Sequence, residues 1–405
     1  MTDVQVASPS LPAHVPANLV REFDIYADER LFEDPYTLFR DMAQNYPEVF
    51  YTTSNGGHWV IVGAPAVEKA LRDYESFGSD FGGVPNLPHQ ARMFIPLQLD
   101  PPEHTPYRRL LNPMFGPKAI WKLEDKVREL CRELISKVQP NGECDFVEAI
   151  ALPLPVRIFM QQMDLPEERY REFAGWVSDL VTGSTDAIRN EGFRKIVAYI
   201  HEVVMEREPD AEGDWVRRLL ASQIDGRALD RETEVWPMAN LLFLGGLDTV
   251  KNMLSHFIRT LALRPDLQKR LVNEPEIAPA AVEELFRYMG GSNPLRIVRK
   301  DMLFHGAPLR AGDLAVVYTG TAPPPGEINN PLVIDFDRAE KWHLGFGAGP
   351  HLCVGAVLAR LEIRVLFEEW FAAIPSYGIK PGTKPVYRPG SVNSMEELQL
   401  VWPRP

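Results

Sequence analysis

Eight stretches of this 405-residue chain carry apolar residues at spacings of three and four: roughly 66–75, 103–112, 119–138, 167–182, 191–207, 231–264, 277–289 and 354–373. That period lays one apolar stripe along each segment and predicts helices that must bury their stripes against one another. Extended pieces are few. Val49-Phe50-Tyr51 and His58-Trp59-Val60-Ile61-Val62 flank a turn at Ser54-Asn55-Gly56-Gly57, and Leu314-Ala315-Val316-Val317-Tyr318 reads as a further strand. The expectation is a mainly α fold with small β-sheets: a proline-rich surface arm over 1–20, then one domain over 21–405 with no linker inside it. No repeat with a period of about 20–50 residues occurs, which excludes solenoids and propellers.

The longest helical pattern contains Leu241-Leu242-Phe243-Leu244-Gly245-Gly246-Leu247-Asp248-Thr249-Val250. Each glycine in a helix interior costs about 1 kcal/mol relative to alanine, so a close approach or a distortion is expected there. The Asp-Thr pair behind them is costly to bury without hydrogen bonds. Two readings stay open. The segment is a packing contact with a satisfied aspartate, or a bulged helix lining a cavity, in which the threonine bonds back to the preceding turn and the aspartate relays protons. Further on, Glu284 and Arg287 share a helix face at i, i+3, which by itself is most often a solvated surface pair.

Charge and cysteine usage narrow the partners. A formal net charge of −13 repels a phosphate backbone and anionic lipid, so nucleic acid and membrane surfaces are not expected partners. The N-terminus lacks a basic segment followed by an apolar one, and no uncharged apolar run of about 18 residues occurs. The chain is expected to be cytoplasmic and monomeric. Cys131, Cys144 and Cys353 show no C-x-x-C spacing, which argues against a zinc site and a disulfide framework. Cys353 stands apart, in Phe346-Gly347-Ala348-Gly349-Pro350-His351-Leu352-Cys353-Val354-Gly355, directly before a helical pattern. The positive end of that helix is expected to lower the thiol's pKa, making Cys353 a nucleophile or a metal ligand.

Taken together, Phe346-x-x-Gly349-x-x-x-Cys353-x-Gly355, Glu284-x-x-Arg287 and Gly245-Gly246-Leu247-Asp248-Thr249 resemble, in order and spacing, the haem-thiolate monooxygenases called cytochromes P-450. Gly56-Gly57-His58-Trp59, Asp100-Pro101-Pro102-Glu103, Pro155-Val156-Arg157-Ile158-Phe159 and Phe304-His305-Gly306 look like the bacterial camphor-hydroxylase subfamily, and the likeness covers nearly the whole chain. It implies a triangular-prism fold with haem b between a long central helix and the helix after the cysteine loop. Cys353 would be the thiolate on the iron, donating electron density for O–O cleavage. Phe346 and Gly349 would shape the loop, and Gly355 would let the next helix approach the haem. Arg108, Arg296 and His351, with His104 one turn before Arg108, would meet the haem propionates. Asp248 and Thr249 would manage proton delivery during oxygen activation, and Glu284 with Arg287 would be structural.

The same resemblance implies that electrons come from a two-iron two-sulfur ferredoxin, itself reduced by an NAD(P)H-dependent flavoprotein. No four-cysteine cluster or strand-G-x-G-x-x-G-helix pattern occurs in the sequence. Arg109, Lys341, Arg360 and Arg364 are candidates for the docking patch. Substrate residues depart from the camphor pattern: Ala91-Arg92-Met93-Phe94-Ile95-Pro96 holds no tyrosine to bond a ketone, and an aromatic wall position falls on Gly83. Arg92, Leu97, Leu241, Leu244, Ser292, Leu295, Ser391 and Val392 are the expected pocket residues, a largely apolar set that selects by shape. A terpenoid or norisoprenoid, ionone-like rather than camphor, is the expected substrate.

A second departure is Thr319-Gly320-Thr321-Ala322-Pro323-Pro324-Pro325-Gly326-Glu327, where relatives carry charged residues that support the Glu-x-x-Arg pair; the sequence offers no substitute for them. The alternative function is a haem protein of the same fold that binds gas or ligands, or uses peroxide without a redox partner. The Asp248-Thr249 pair favours oxygen activation. A cysteine-nucleophile hydrolase would need a histidine base aimed at Cys353.

Overall fold

The computed structural model describes residues 11–80, 92–320 and 330–404. Gly83 and Pro323-Pro324-Pro325 lie outside them, as do the first ten residues of the arm. The rest of the arm runs along the sheet, with Val15 buried and Val20 bridged to Tyr51.

Helices dominate, as the periodicity requires. Ala64–Arg72, His104–Phe115, Glu124–Val138, Tyr170–Thr182, Asp186–Glu206, Ala278–Met289 and Ala356–Ala373 match predicted stretches within a few residues. Helices at Pro35–Asn45, Pro153–Gln162, Trp215–Leu220 and Pro265–Asn273 were not among the predicted ones. Three of the four begin on a proline, which breaks an apolar pattern read along the sequence but is tolerated in the first turn, where the amide lacks an intrahelical partner.

One five-stranded sheet runs in the order Val49–Thr52, His58–Ile61, Leu314–Val317, Leu295–Val298 and Phe77–Gly78. The turn between the first two strands holds Asn55, Gly56 and Gly57 at φ of 54°, 87° and 84°, which explains its composition. Arg296 faces Ala315 across the third and fourth strands, and this pairing fixes where its guanidinium emerges.

The predicted helix over 231–264 is in fact two. Trp236–Leu247 and Thr249–Ala262 meet at Asp248, whose φ of −131° interrupts the ladder. The two glycines have different reasons. A Cβ on Gly246 would lie 2.1 Å from the Phe159 ring, so its absence lets Pro153–Gln162 pack close. A Cβ on Gly245 would meet nothing within 4 Å, because Gly245 faces the cavity described below.

Glu284 and Arg287 are not a surface pair. They join through two 2.8 Å bonds and are 0% and 3% exposed. Glu284 Oε1 also accepts from the Asp335 amide at 2.9 Å and Arg338 Nε at 3.1 Å. Arg287 donates to the Pro331 and Val333 carbonyls at 2.8 and 3.1 Å. Residues 331–338 thus supply the support that the sequence left unassigned. Between the two charged residues sits Phe286, whose ring lies 4.3 Å from that of Phe346 in the cysteine loop. Glu284→Gln, which removes the buried negative charge facing Arg287 and Arg338, is expected to destabilise the protein by about 3–5 kcal/mol, read from chemical denaturation.

Candidate functional site

The cysteine loop is built by its own amides. Cys353 N donates to Phe346 O at 2.9 Å and Gly347 N to Leu344 O at 2.8 Å, closing a tight turn. Gly349 takes φ of +69°, and a Cβ there would stand 2.9 Å from the Leu71 carbonyl, so the position requires glycine. Phe346 is held between Phe286 and the Arg360 guanidinium, 4.3 Å from its centroid. Arg360 in turn bonds Glu283 at 2.5 and 2.9 Å. Burial would raise the Glu283 carboxyl, but hydrogen bonds from His343 and Arg360 outweigh it and hold it at about 2. A Cβ on Gly355 would meet only Cys353 Sγ, at 3.8 Å.

Above the loop lies a cavity of about 340 Å³. On the His104–Phe115 helix, His104, Arg108, Leu111 and Phe115 fall at steps of four, three and four, so a single face lines it. Leu241, Gly245 and Thr249 of the interrupted helix, Arg296 of the sheet, and His351 and Cys353 of the loop line the same cavity. The five residues expected at a cofactor therefore converge on one space from three segments of chain.

Their electrostatics are specific. Arg296 is 4% exposed, with the Leu295 carbonyl at 2.9 Å as its side chain's one hydrogen-bond partner among the described residues, and burial pushes it down to about 10. Arg108 donates to the Leu352 carbonyl at 2.7 Å, and burial lowers its pKa too. His104 Nε2 has no partner; burial, with His351 and Arg108 nearby, drops it to about 4. His351 Nε2 bonds Asp100 at 2.8 Å, and burial keeps the imidazole below its usual pKa despite that carboxylate. Asp100 is further held by the Ser79 amide and Arg299, at 2.8 and 2.7 Å.

Under-partnered cations beside an apolar cavity need buried anions. A haem carrying two propionates, with the Cys353 sulfur on its iron, fits this donor set. One expectation is corrected. The N–H groups of Gly355 and Ala356 and the cations of Arg108 and Arg360 do favour the thiolate, but burial outweighs them and raises the Cys353 thiol. Helix-end electrostatics alone do not keep this thiol ionised. His351 is engaged by Asp100, and among the described residues no histidine bonds Cys353 as a hydrolase would require.

Of the expected pocket residues, Leu97, Leu241, Ser292 and Val392 line the cavity; Arg92, Leu244, Leu295 and Ser391 do not. Arg92 reaches outward to Glu103 at 2.8 Å, with both side chains about 60% exposed. Leu295 alternates with Pro294 and Arg296 along its strand, so when they face the cavity it turns into the core. Leu244 packs against that same core, and Ser391 is buried outside the cavity.

Thr249 donates its hydroxyl to the Gly245 carbonyl at 3.1 Å, within the interrupted turn. Asp248 is buried but does not line the cavity: Lys251 holds one carboxylate oxygen at 3.0 Å and Asn252 the other at 2.7 Å. Sequence reasoning missed Lys251, although its i, i+3 spacing from Asp248 was a usable signal. It also missed Glu362, 1% exposed at the cavity, with Oε1 unpartnered and its carboxyl raised by burial from 4.5 to about 8.

A family model described as Cytochrome P450 matches residues 159–371. A probable cytochrome P450 127A1 from Sinorhizobium fredii is 34% identical, the alignment covering 98% of each chain. A steroid C26-monooxygenase from Mycolicibacterium smegmatis is 29% identical over 83% of this chain and 86% of its own. Among solved structures, CYP101J2 superposes with a TM-score of 0.86 at 32% identity, covering 98% of this chain and all of its own. CYP101C1 gives 0.86 at 29%, covering 97% and all of its own.

Glu362 yields a prediction with a definite sign. Its folded pKa is raised, so the neutral carboxyl is fully tolerated below about pH 4.5 and stability is lost as pH rises through about 8. Glu362→Gln should match the parent at pH 4.5 and exceed it by up to about 5 kcal/mol at pH 9, in denaturation curves at the two pH values.

Proposed function

The chain belongs to the cytochrome P450 family of haem-binding monooxygenases, and from that premise we propose that it hydroxylates a small apolar terpenoid or norisoprenoid with electrons from a two-iron two-sulfur ferredoxin. The observation that carries this reading is the convergence on one cavity of Cys353, three segments bearing cations or imidazoles, and an interrupted helix presenting Thr249.

Cys353 would hold the haem iron, and Arg108, Arg296, His104 and His351 its carboxylates. When bound, haem supplies the activation of O2 by two electrons and insertion of one oxygen atom into a C–H bond. The chain's residues do the rest. Leu97, Leu241 and Val392 exclude water and orient an apolar substrate, while Ser292 offers the cavity a hydroxyl. Thr249, bonded to the Gly245 carbonyl, holds a hydroxyl at the cavity wall, and Asp248 behind it stores the proton that this hydroxyl passes on.

Camphor loses its anchor because Arg92 points outward and that segment holds no tyrosine to bond its ketone, which leaves selection to the shape of an apolar cavity and suits a larger, ionone-like substrate. For ferredoxin docking, Arg109 is exposed, without an ion-pair partner among the described residues. Arg360 is already tied to Glu283, Arg364 to Glu124 and Glu368, and Lys341 to the Arg338 carbonyl, so Arg109 is the strongest of the four candidates. Residues 21–405 act as one catalytic unit in this reading, in the cytoplasm and as a monomer. No helix among the described residues is long and apolar enough to cross a membrane.

Titration of the purified haem protein tests the substrate. Ionones should shift the haem band toward high spin at lower concentration than camphor; a shift with camphor alone contradicts the preference.

A further inference from the structure

Lys251 is buried in the Thr249–Ala262 helix, its side chain 6% exposed, and its ammonium group faces three acceptors. Asp248 Oδ1 lies at 3.0 Å, Ser394 Oγ at 3.1 Å and Glu396 Oε1 at 3.6 Å. Ser394 Oγ is in turn 2.7 Å from Glu396 Oε1 and 3.0 Å from Asn252 Oδ1. The Asp248 and Ser394 side chains are buried, whereas that of Glu396 is 38% exposed. A static buried ion pair needs one cation and one anion. Here one cation serves two carboxylates, and the second reaches solvent.

The result is an unbroken line of exchangeable groups from the surface to Asp248, which adjoins Thr249 on the cavity wall. Against the cost of burial, the two carboxylates raise the Lys251 ammonium and Lys251 lowers the Glu396 carboxyl, so both rest charged and an entering proton is passed on rather than held. Other charged and titratable groups near it are few. Lys251 lies close enough to His256, one turn further along the helix, to disfavour its charged form, and that ring bonds the Asn393 carbonyl at 2.7 Å. Arg388 lies near Glu396.

We infer that Glu396, Ser394 and Lys251 form the proton entry to Asp248, with Lys251 also fixing the position of that carboxylate; this rests on the monooxygenase reading above. In one cycle the Lys251 Nζ–H bond breaks as the Asp248 Oδ1–H bond forms. Glu396 is first protonated by a solvent hydronium ion; it then gives that proton to Ser394 as Ser394 gives its own to the amine. One proton has moved inward, and each member of the line is restored once Asp248 passes it to the Thr249 side. Lys251, Ser394 and Glu396 are positioning and relay residues: they act through Asp248.

The test uses the haem-loaded protein with ferredoxin, reductase and whichever member of a terpenoid panel gives the largest spin-state shift. In Glu396→Gln, at a half-exposed site that does not threaten the fold, product formation should fall roughly tenfold. Its solvent isotope effect should rise and its pH profile shift, with KM and melting temperature unchanged; Glu396→Asp should restore most of the rate. A wild-type profile and isotope effect, or a loss confined to KM or melting temperature, would overturn the relay. A second readout needs no turnover. Lys251→Met should lose stability progressively between pH 4 and 7 as lone Asp248 ionises, and adding Asp248→Asn should cancel the loss. A variant that tracks the parent at every pH also overturns the relay. Should the wild type form no oxygenated product from any panel member, the monooxygenase reading falls and the relay with it.

Discussion

The buried ion pair between Glu284 and Arg287 is the contact on which the proximal half of the molecule depends. Its two parallel bonds satisfy one face of each group, and the remaining capacity goes to residues 331–338. A charged pair this deep is expensive to desolvate and stays because both groups are bonded to each other and to their surroundings as well. What it secures is position. Phe286 sits between the two charges on the same helix and carries Phe346, and Phe346 receives Cys353 N on its carbonyl. A loop of glycines, with little packing of its own, is thereby held rigidly under the cavity.

A second constraint follows from charge. Arg296, Arg108 and two imidazoles surround an apolar space with little but backbone carbonyls and Asp100 to answer them. Burial depresses the pKa of all four. The Cys353 thiol, by contrast, is raised, so the protein alone disfavours the thiolate that the chemistry needs. Both tensions are relieved by the same group: a haem brings carboxylates to the cations and an iron to the sulfur. The site is built as half of an interaction.

The sequence discloses part of this and hides part, for physical reasons. Local periodicity locates the helices, and glycine and cysteine spacing locates the loop, because both are properties of contiguous residues. The Gly245-Gly246 pair announces a close approach, yet only the fold separates the glycine that faces Phe159 from the one that faces the cavity. Leu295 and Leu244 are misplaced because their apolar character is the same whether they line a cavity or fill the core. Arg92 fails differently: an exposed partner, Glu103, draws it outward. The Asp248–Lys251–Glu396 cluster joins residues about 145 positions apart and leaves no local pattern beyond the i, i+3 spacing of Asp248 and Lys251.

The central claim is that Cys353 ligates haem iron as a thiolate, and the carbon-monoxide difference spectrum of the reduced haem protein tests it most directly. The account predicts the red-shifted band characteristic of thiolate-ligated haem in the wild type and its loss in Cys353→His. A wild-type spectrum of the histidine-ligated kind, or an unchanged band in the variant, would contradict it.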